Sequence, residues 1–87
     1  MTPEDLDQVD ALSRRHIWGH FTRLAGAQRD GLPIIERGEG AYVYDAAGRK
    51  FLDGLSGLFT VNIGHGRTEL AEAARAQTDK LAYFPLL

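Results

Sequence analysis

A few residues in this chain have the types and spacing that chemistry needs. Asp53 and His65 are a carboxylate and an imidazole, the two halves of an acid/base pair. Nothing in their spacing brings them together, and Asp53, at the end of a short apolar run, reads first as a turn or cap residue. His16 and His20 stand one helical turn apart, as two metal ligands on one helix face would. The zinc-protease pattern needs a glutamate directly after the first histidine, and Ile17 stands there, so capping or packing is the better reading. Lys50 and Lys80 are the two lysines. Lys50 follows a charged turn and Lys80 lies on a polar helical face, and neither has the apolar setting that would make a nucleophilic amine. Gly64-His65-Gly66-Arg67-Thr68-Glu69 opens a helix with two glycines of a dinucleotide fingerprint. Glu69 replaces the third glycine, and its charge opposes a pyrophosphate at that helix end. Glycines that let a loop turn tightly into a helix are the plainer account. No complete catalytic constellation is present.

The elements that must position these residues centre on residues 38–66. Ala41-Tyr42-Val43-Tyr44 is aromatic and β-branched enough for a strand, and Lys50-Phe51-Leu52-Asp53 answers it. Between them Asp45-Ala46-Ala47-Gly48 has a turn's residues: Asp bonds the backbone ahead and Gly accepts positive φ. These segments predict a hairpin over 41–53. A loop over 54–67 follows, where Gly54, Gly57, Gly64 and Gly66 surround Leu58-Phe59-Thr60-Val61, a pattern suited to backbone passing close to something else. Upstream, Thr2-Pro3-Glu4-Asp5 starts a helix over 3–15 with a thin apolar stripe of Leu6, Val9 and Leu12, closing at Arg14-Arg15. Residues 16–31, with Ile17, Trp18, Phe21 and Leu24 interrupted by Gly19 and Gly26, read as irregular. Residues 32–35 read as a short strand and 36–40 as a turn. Downstream, Thr68 is expected to cap a helix over 68–82 carrying Leu70, Ala73, Ala74, Gln77 and Leu81 on one side.

With 87 residues the chain is at most one small domain. Its net charge of −2, with acids and bases interspersed, offers no basic face for nucleic acid. It has no cysteine, so neither disulfides nor thiolate metal sites hold it together. The N-terminal stretch is acidic and unlike a signal peptide, and no apolar run approaches the about 20 residues of a membrane helix. A cytoplasmic location is the default. Tyr83-Phe84-Pro85-Leu86-Leu87 turns apolar and stops, an ending expected of a chain cut from something longer.

Four segments together carry a family resemblance. Gly38-Glu39-Gly40-Ala41-Tyr42-Val43-Tyr44-Asp45, Gly48-Arg49-Lys50-Phe51-Leu52-Asp53-Gly54, Ser56-Gly57-Leu58 and Asn62-Ile63-Gly64-His65-Gly66-Arg67 closely resemble the N-terminal part of class III pyridoxal-phosphate-dependent aminotransferases. His16-Ile17-Trp18-Gly19-His20-Phe21-Thr22 is similar to the segment preceding this hairpin in the ω-amino-acid and amine:pyruvate branch. The resemblance implies an α/β fold of type I, with this α+β segment supplying a leading helix, a small-domain hairpin, a loop and a helix. It implies transfer of an amino group from an amine or ω-amino acid to a keto acid such as pyruvate, by a homodimer in the full-length enzyme. It implies a substrate pocket lined by Phe21, Leu58, Phe59 and Leu87. Related ω-transaminases commonly have Trp where Phe59 stands; Phe keeps an aromatic wall but loses the indole donor and some volume.

The family's phosphate loop, pyridine-nitrogen aspartate and Schiff-base lysine lie downstream of the matched segments. The chain by itself is therefore expected to bind no pyridoxal 5'-phosphate and to be catalytically inert, as a piece of a transaminase. The alternative reading is a non-catalytic interaction module, a small α/β piece whose exposed apolar surface binds a partner protein. A two-stranded hairpin with one thin helix and one alanine-rich helix is marginal in water, and ordering costs about 1–2 kcal/mol per residue. Residues 1–87 alone should melt broadly and associate with rising concentration in size-exclusion light scattering. A cooperative, concentration-independent transition of a monodisperse monomer would favour the module.

Overall fold

A computed structural model describes residues 1–19 and 22–86. Its elements, in chain order, are α1 (Pro3–His16), α2 (Leu24–Asp30), β1 (Ile35–Glu39), β2 (Tyr42–Asp45), β3 (Lys50–Leu52), α3 (Ser56–Phe59) and α4 (Thr68–Lys80). The strands form one sheet in the order β1-β2-β3. Connections this short join only antiparallel neighbours. Contacts divide the chain into two units, Met1–Arg37 with Tyr44–Phe51, and Gly38–Val43 with Leu52–Leu87.

In the first unit, α1 begins with a capping box. The Asp5 amide donates to Thr2 Oγ1 at 3.1 Å and the Thr2 amide donates to Asp5 Oδ2 at 3.2 Å. Near its end, Arg14 Nε donates to Asp10 Oδ2 at 2.8 Å, and Arg14 Nη1 reaches the Arg29 carbonyl at 2.6 Å. That second bond ties the last turn of α2 to α1. It also bears on the segment expected to be irregular over 16–31, which contains the two-turn α2. Gly26 lies inside this helix, where a glycine costs about 1 kcal/mol relative to alanine.

The strand expected at 32–35 starts only at Ile35 and runs through Glu39, taking in residues read as a turn. Strand pairing is a backbone property, so charged side chains do not prevent it. Arg37 lies over the Tyr44 ring, 3.6 Å from its centroid, so its charge serves the sheet as a cation–π partner. The hairpin over 41–53 is thus two strands of a three-stranded sheet, which removes one reason for expecting it to be marginal.

The β2–β3 turn is organised by Asp45, which is only 5% exposed. Its Oδ1 accepts from the amides of Ala47 at 3.0 Å and Arg49 at 2.8 Å, and its Oδ2 accepts from Arg49 Nε at 2.7 Å. Gly48 takes the left-handed conformation that closes the turn, at φ 84°. Burial works to raise the pKa of Asp45, but hydrogen bonds from the Arg49 backbone and side chain outweigh it, and the carboxyl sits below its ordinary value.

In the second unit, the loop expected over 54–67 contains α3, and α4 starts at Thr68 itself. Thr68 is not the cap. Arg67 holds that position without a side-chain capping bond; its guanidinium instead meets Glu69 and the Ile63 carbonyl. The helix ends at Lys80 rather than 82, with the Leu81 amide bonded to the Gln77 carbonyl at 2.8 Å. Every residue of α4 is exposed, and among the described residues no hydrophobic side chain is buried.

The lowered Asp45 pKa fixes a sign. Its contribution is fully present above the ordinary aspartate pKa and is lost as pH falls through the lowered value. The amides of Ala47 and Arg49 should lose protection from hydrogen exchange on acidification through that range, after correction for intrinsic rates. Asp45→Ala should remove the protection at every pH.

Candidate functional site

The chemistry-bearing residues of the second unit meet at a glycine-lined clasp. Gly40 and His65 form an isolated antiparallel bridge, the Gly40 amide donating to the His65 carbonyl at 3.1 Å and the His65 amide donating to the Gly40 carbonyl at 2.8 Å. Backbones come this close because two Gly-x-Gly stretches, 38–40 and 64–66, face each other. A Cβ on Gly64 would stand 3.3 Å from Gly40 Cα, and one on Gly38 would stand 2.7 Å from His65 Cβ and Cγ.

This bridge directs the His65 ring at Asp53, with Nε2 2.7 Å from Oδ2. Asp53 is held at its own backbone by the bond from its amide to the Ala41 carbonyl at 2.8 Å. The hydrogen bond from His65 is the leading cause that lowers the Asp53 pKa; desolvation opposes it, and the Gly57 amide adds to it. An ionised carboxylate only accepts, so Nε2 carries the shared proton. The same Oδ2 accepts from the Gly57 amide at 2.9 Å. Asp53 is therefore both the loop cap read from the sequence and the partner of His65. Sequence spacing did not bring these two together. The signal that could have done so is the facing pair of Gly-x-Gly stretches, since glycines matched on both sides mark a close backbone crossing.

Beyond Asp53 the chain makes a left-handed turn. Ser56, Gly57, Leu58 and Phe59, the residues of α3, have φ of 52°, 57°, 68° and 67°. Three of these are not glycine, and a left-handed conformation costs each about 1–2 kcal/mol. Ser56 Oγ donates to the Val61 carbonyl at 2.7 Å and Thr60 Oγ1 to the Gly57 carbonyl at 3.0 Å. The turn presents Phe59 outward, 76% exposed, beside a half-exposed Leu58. Of the residues expected to line a pocket, Leu58 and Phe59 thus share one turn. Phe21 and Leu87 lie outside the described residues, as does His20 of the histidine pair. No group of three metal-ligating side chains occurs among the described residues.

A cavity of about 250 Å³ opens at the clasp, lined by Ala41, Asp53, Ser56, Val61, Asn62 and His65 among others. Its ring nitrogen and carboxylate are bonded to each other, and the flank of the ring lies against Gly38. The arrangement suits a structural clasp better than proton transfer to a bound molecule.

Residues 25–86 match the sequence model of the family described as aminotransferase class-III. The chain belongs to that family. A probable aminotransferase of Mycobacterium tuberculosis is 47% identical over 85 residues, which is 97% of this chain and 18% of that protein. A hypotaurine/taurine–pyruvate aminotransferase of Paracoccus denitrificans is 38% identical over 85 residues, again 97% of this chain and 18% of that protein. Among solved structures, a thermostable (S)-enantioselective omega-transaminase from Thermomicrobium roseum superposes with a TM-score of 0.90 at 44% identity, covering 94% of this chain and 18% of that one. The mixed helix-and-sheet segment is thus the one expected for such transaminases. The chain spans about 18% of the length of these relatives.

Pyridoxal phosphate, the cofactor of this class III aminotransferase family, requires a lysine amine for its aldehyde and a cradle for its phosphate. Lys50 and Lys80 are both exposed, and the charge nearest the clasp cavity is the Asp53 carboxylate, which would repel a phosphate. The clasp and the two lysines do not fit the cofactor.

Gly38→Ala in this aminotransferase segment should drive a methyl into the His65 ring and destabilise the fold by about 1–3 kcal/mol. Gly26→Ala, with nothing within 4 Å of the new Cβ, should be neutral or stabilising. Thermal melting of the two variants checks this contrast.

Proposed function

We propose that this chain is a segment of a pyridoxal-phosphate-dependent transaminase, which moves an amino group from an amine or ω-amino acid to a keto acid such as pyruvate. The observation that carries the reading is the family match over residues 25–86. It is supported by the likeness to an omega-transaminase and to an enzyme named for pyruvate as its acceptor. In this reading the cofactor is held by residues outside this chain, in a homodimer in the cytoplasm.

The part of this segment in the reaction is recognition. Leu58 and Phe59 form one wall of the substrate pocket, with Phe21 and Leu87 as further lining residues. An aromatic ring on a turn with few internal contacts suits this role, because its apolar face is left for a ligand or a covering element. A phenyl wall favours aromatic donors by dispersion and ring stacking, and it offers no hydrogen bond of its own.

Two measurements test the proposal. Residues 1–87, incubated with pyridoxal phosphate and borohydride, should show no stoichiometric labelling of a single lysine and no amino transfer, whereas the whole enzyme carrying this segment should show both. In that enzyme Phe59→Ala should lower kcat/KM for aromatic amines more than for small aliphatic ones, by about 1–3 kcal/mol. Equal losses for both donor classes would mean that Phe59 only packs within the protein.

A further inference from the structure

The left-handed turn at residues 56–59 is strained and lacks buried apolar anchors. Leu58 and Phe59 are both exposed, so packing within the described residues does not hold them. Most hydrogen bonds of the turn close on the turn itself: the Phe59 amide to the Leu55 carbonyl at 2.8 Å, and the amides of Thr60 and Val61 to the Ser56 carbonyl, both at 2.8 Å. Such bonds define a local shape and do not fix where that shape points. Two bonds are different, since they reach Asp53, which is anchored to Ala41 through its own amide. The Ser56 amide donates to the Asp53 carbonyl at a long 3.3 Å, and the Gly57 amide donates to Asp53 Oδ2 at 2.9 Å; only the second depends on the carboxylate.

The orientation of that carboxylate is set chiefly by His65, which bonds the same oxygen at 2.7 Å, with the Leu55 amide as a weaker donor. His65 is itself fixed at its backbone by the two bonds to Gly40, and its ring lies where Gly38 leaves room. A continuous series of hydrogen bonds therefore runs from Gly40 through His65 and Asp53 to Gly57, two residues before Phe59 in the same turn.

We propose that His65 and Asp53 are a positioning pair that sets the conformation of the turn at 56–59, making His65 a determinant of amine specificity although it does not touch substrate. The specificity half of this inference rests on the reading that Phe59 faces substrate. Losing the ring N–H frees the Asp53 carboxylate to rotate, the Gly57 amide loses its anchored acceptor, and strain in the turn is released by movement of Phe59.

The experiment uses the cofactor-loaded enzyme whose chain carries this segment, with His65→Phe, which keeps a ring and removes the donor, and His65→Gln, which restores an N–H. Hydrogen exchange at the Gly57 amide should accelerate in His65→Phe and return toward the parent rate in His65→Gln. The ratio of kcat/KM for an aromatic amine to that for a small aliphatic amine should fall about tenfold in His65→Phe. In the Phe59→Ala background the same His65→Phe change should leave the ratio unmoved, because the ring being positioned is gone. Unchanged Gly57 exchange in His65→Phe, or an equal ratio shift with and without Phe59, would overturn the proposal. A ratio unaffected by Phe59→Ala alone identifies the failure as that of the pocket reading, and overturns the specificity claim with it. Should His65→Phe fail to fold, the exchange rate and ratio in His65→Gln decide: parent-like values support the pair, and values as altered as those of Asp53→Ala overturn it.

Discussion

The 2.7 Å hydrogen bond between His65 and Asp53 joins the end of the hairpin to the loop that enters α4, and the second unit depends on it. A single carboxylate oxygen serves both the imidazole and the Gly57 amide, so the hairpin end, the left-handed turn and the Gly40–His65 bridge are one bonded assembly. A hydrogen bond to a charged group contributes more than a neutral one, which suits a segment that must hold three non-glycine residues at positive φ. The ionised carboxylate also explains why an Asp–His pair can be structural: the Nε2 proton is engaged by Asp53, and the ring flank rests against Gly38.

The first unit repeats this device with different partners. Asp45 gathers two backbone amides and the Arg49 guanidinium, fixing the β2–β3 turn as Asp53 fixes the turn after β3. In both cases an aspartate at a strand's end, Asp45 as the last residue of β2 and Asp53 just after β3, accepts from the backbone further along the chain. Order here is carried by carboxylates and backbone pairing, because no described hydrophobic residue is buried. Trp18, Tyr83 and Phe84 are each at least 70% exposed.

Those exposed side chains give membership in the transaminase family a physical meaning. The chain spans about 18% of its relatives' length, and it matches a solved transaminase over 94% of its own. Side chains that are apolar and exposed in this segment, including Leu70 on α4 and Leu81 just past its end, are what a larger protein would cover. No described helix is long and apolar enough to cross a membrane.

Much of the local architecture was legible because it is encoded within a few residues. Thr2, Pro3 and Asp5 specify the start of α1, and Asp45 with Gly48 specifies the turn, since capping and turn bonds close within four positions. The spaced motifs from Gly38 to Arg67 also carried the family. Other features needed the tertiary structure. Helix α2 forms despite Gly26, with Arg14 on another helix bonding its final turn, and β1 extends through charged residues because strand pairing is made by backbone groups. The meeting of Asp53 with His65 depends on two glycine stretches crossing at close range. Sequence determines local conformations through short-range bonds, whereas only the folded chain decides which distant residues share a carboxylate, because that contact exists once the intervening backbone has closed.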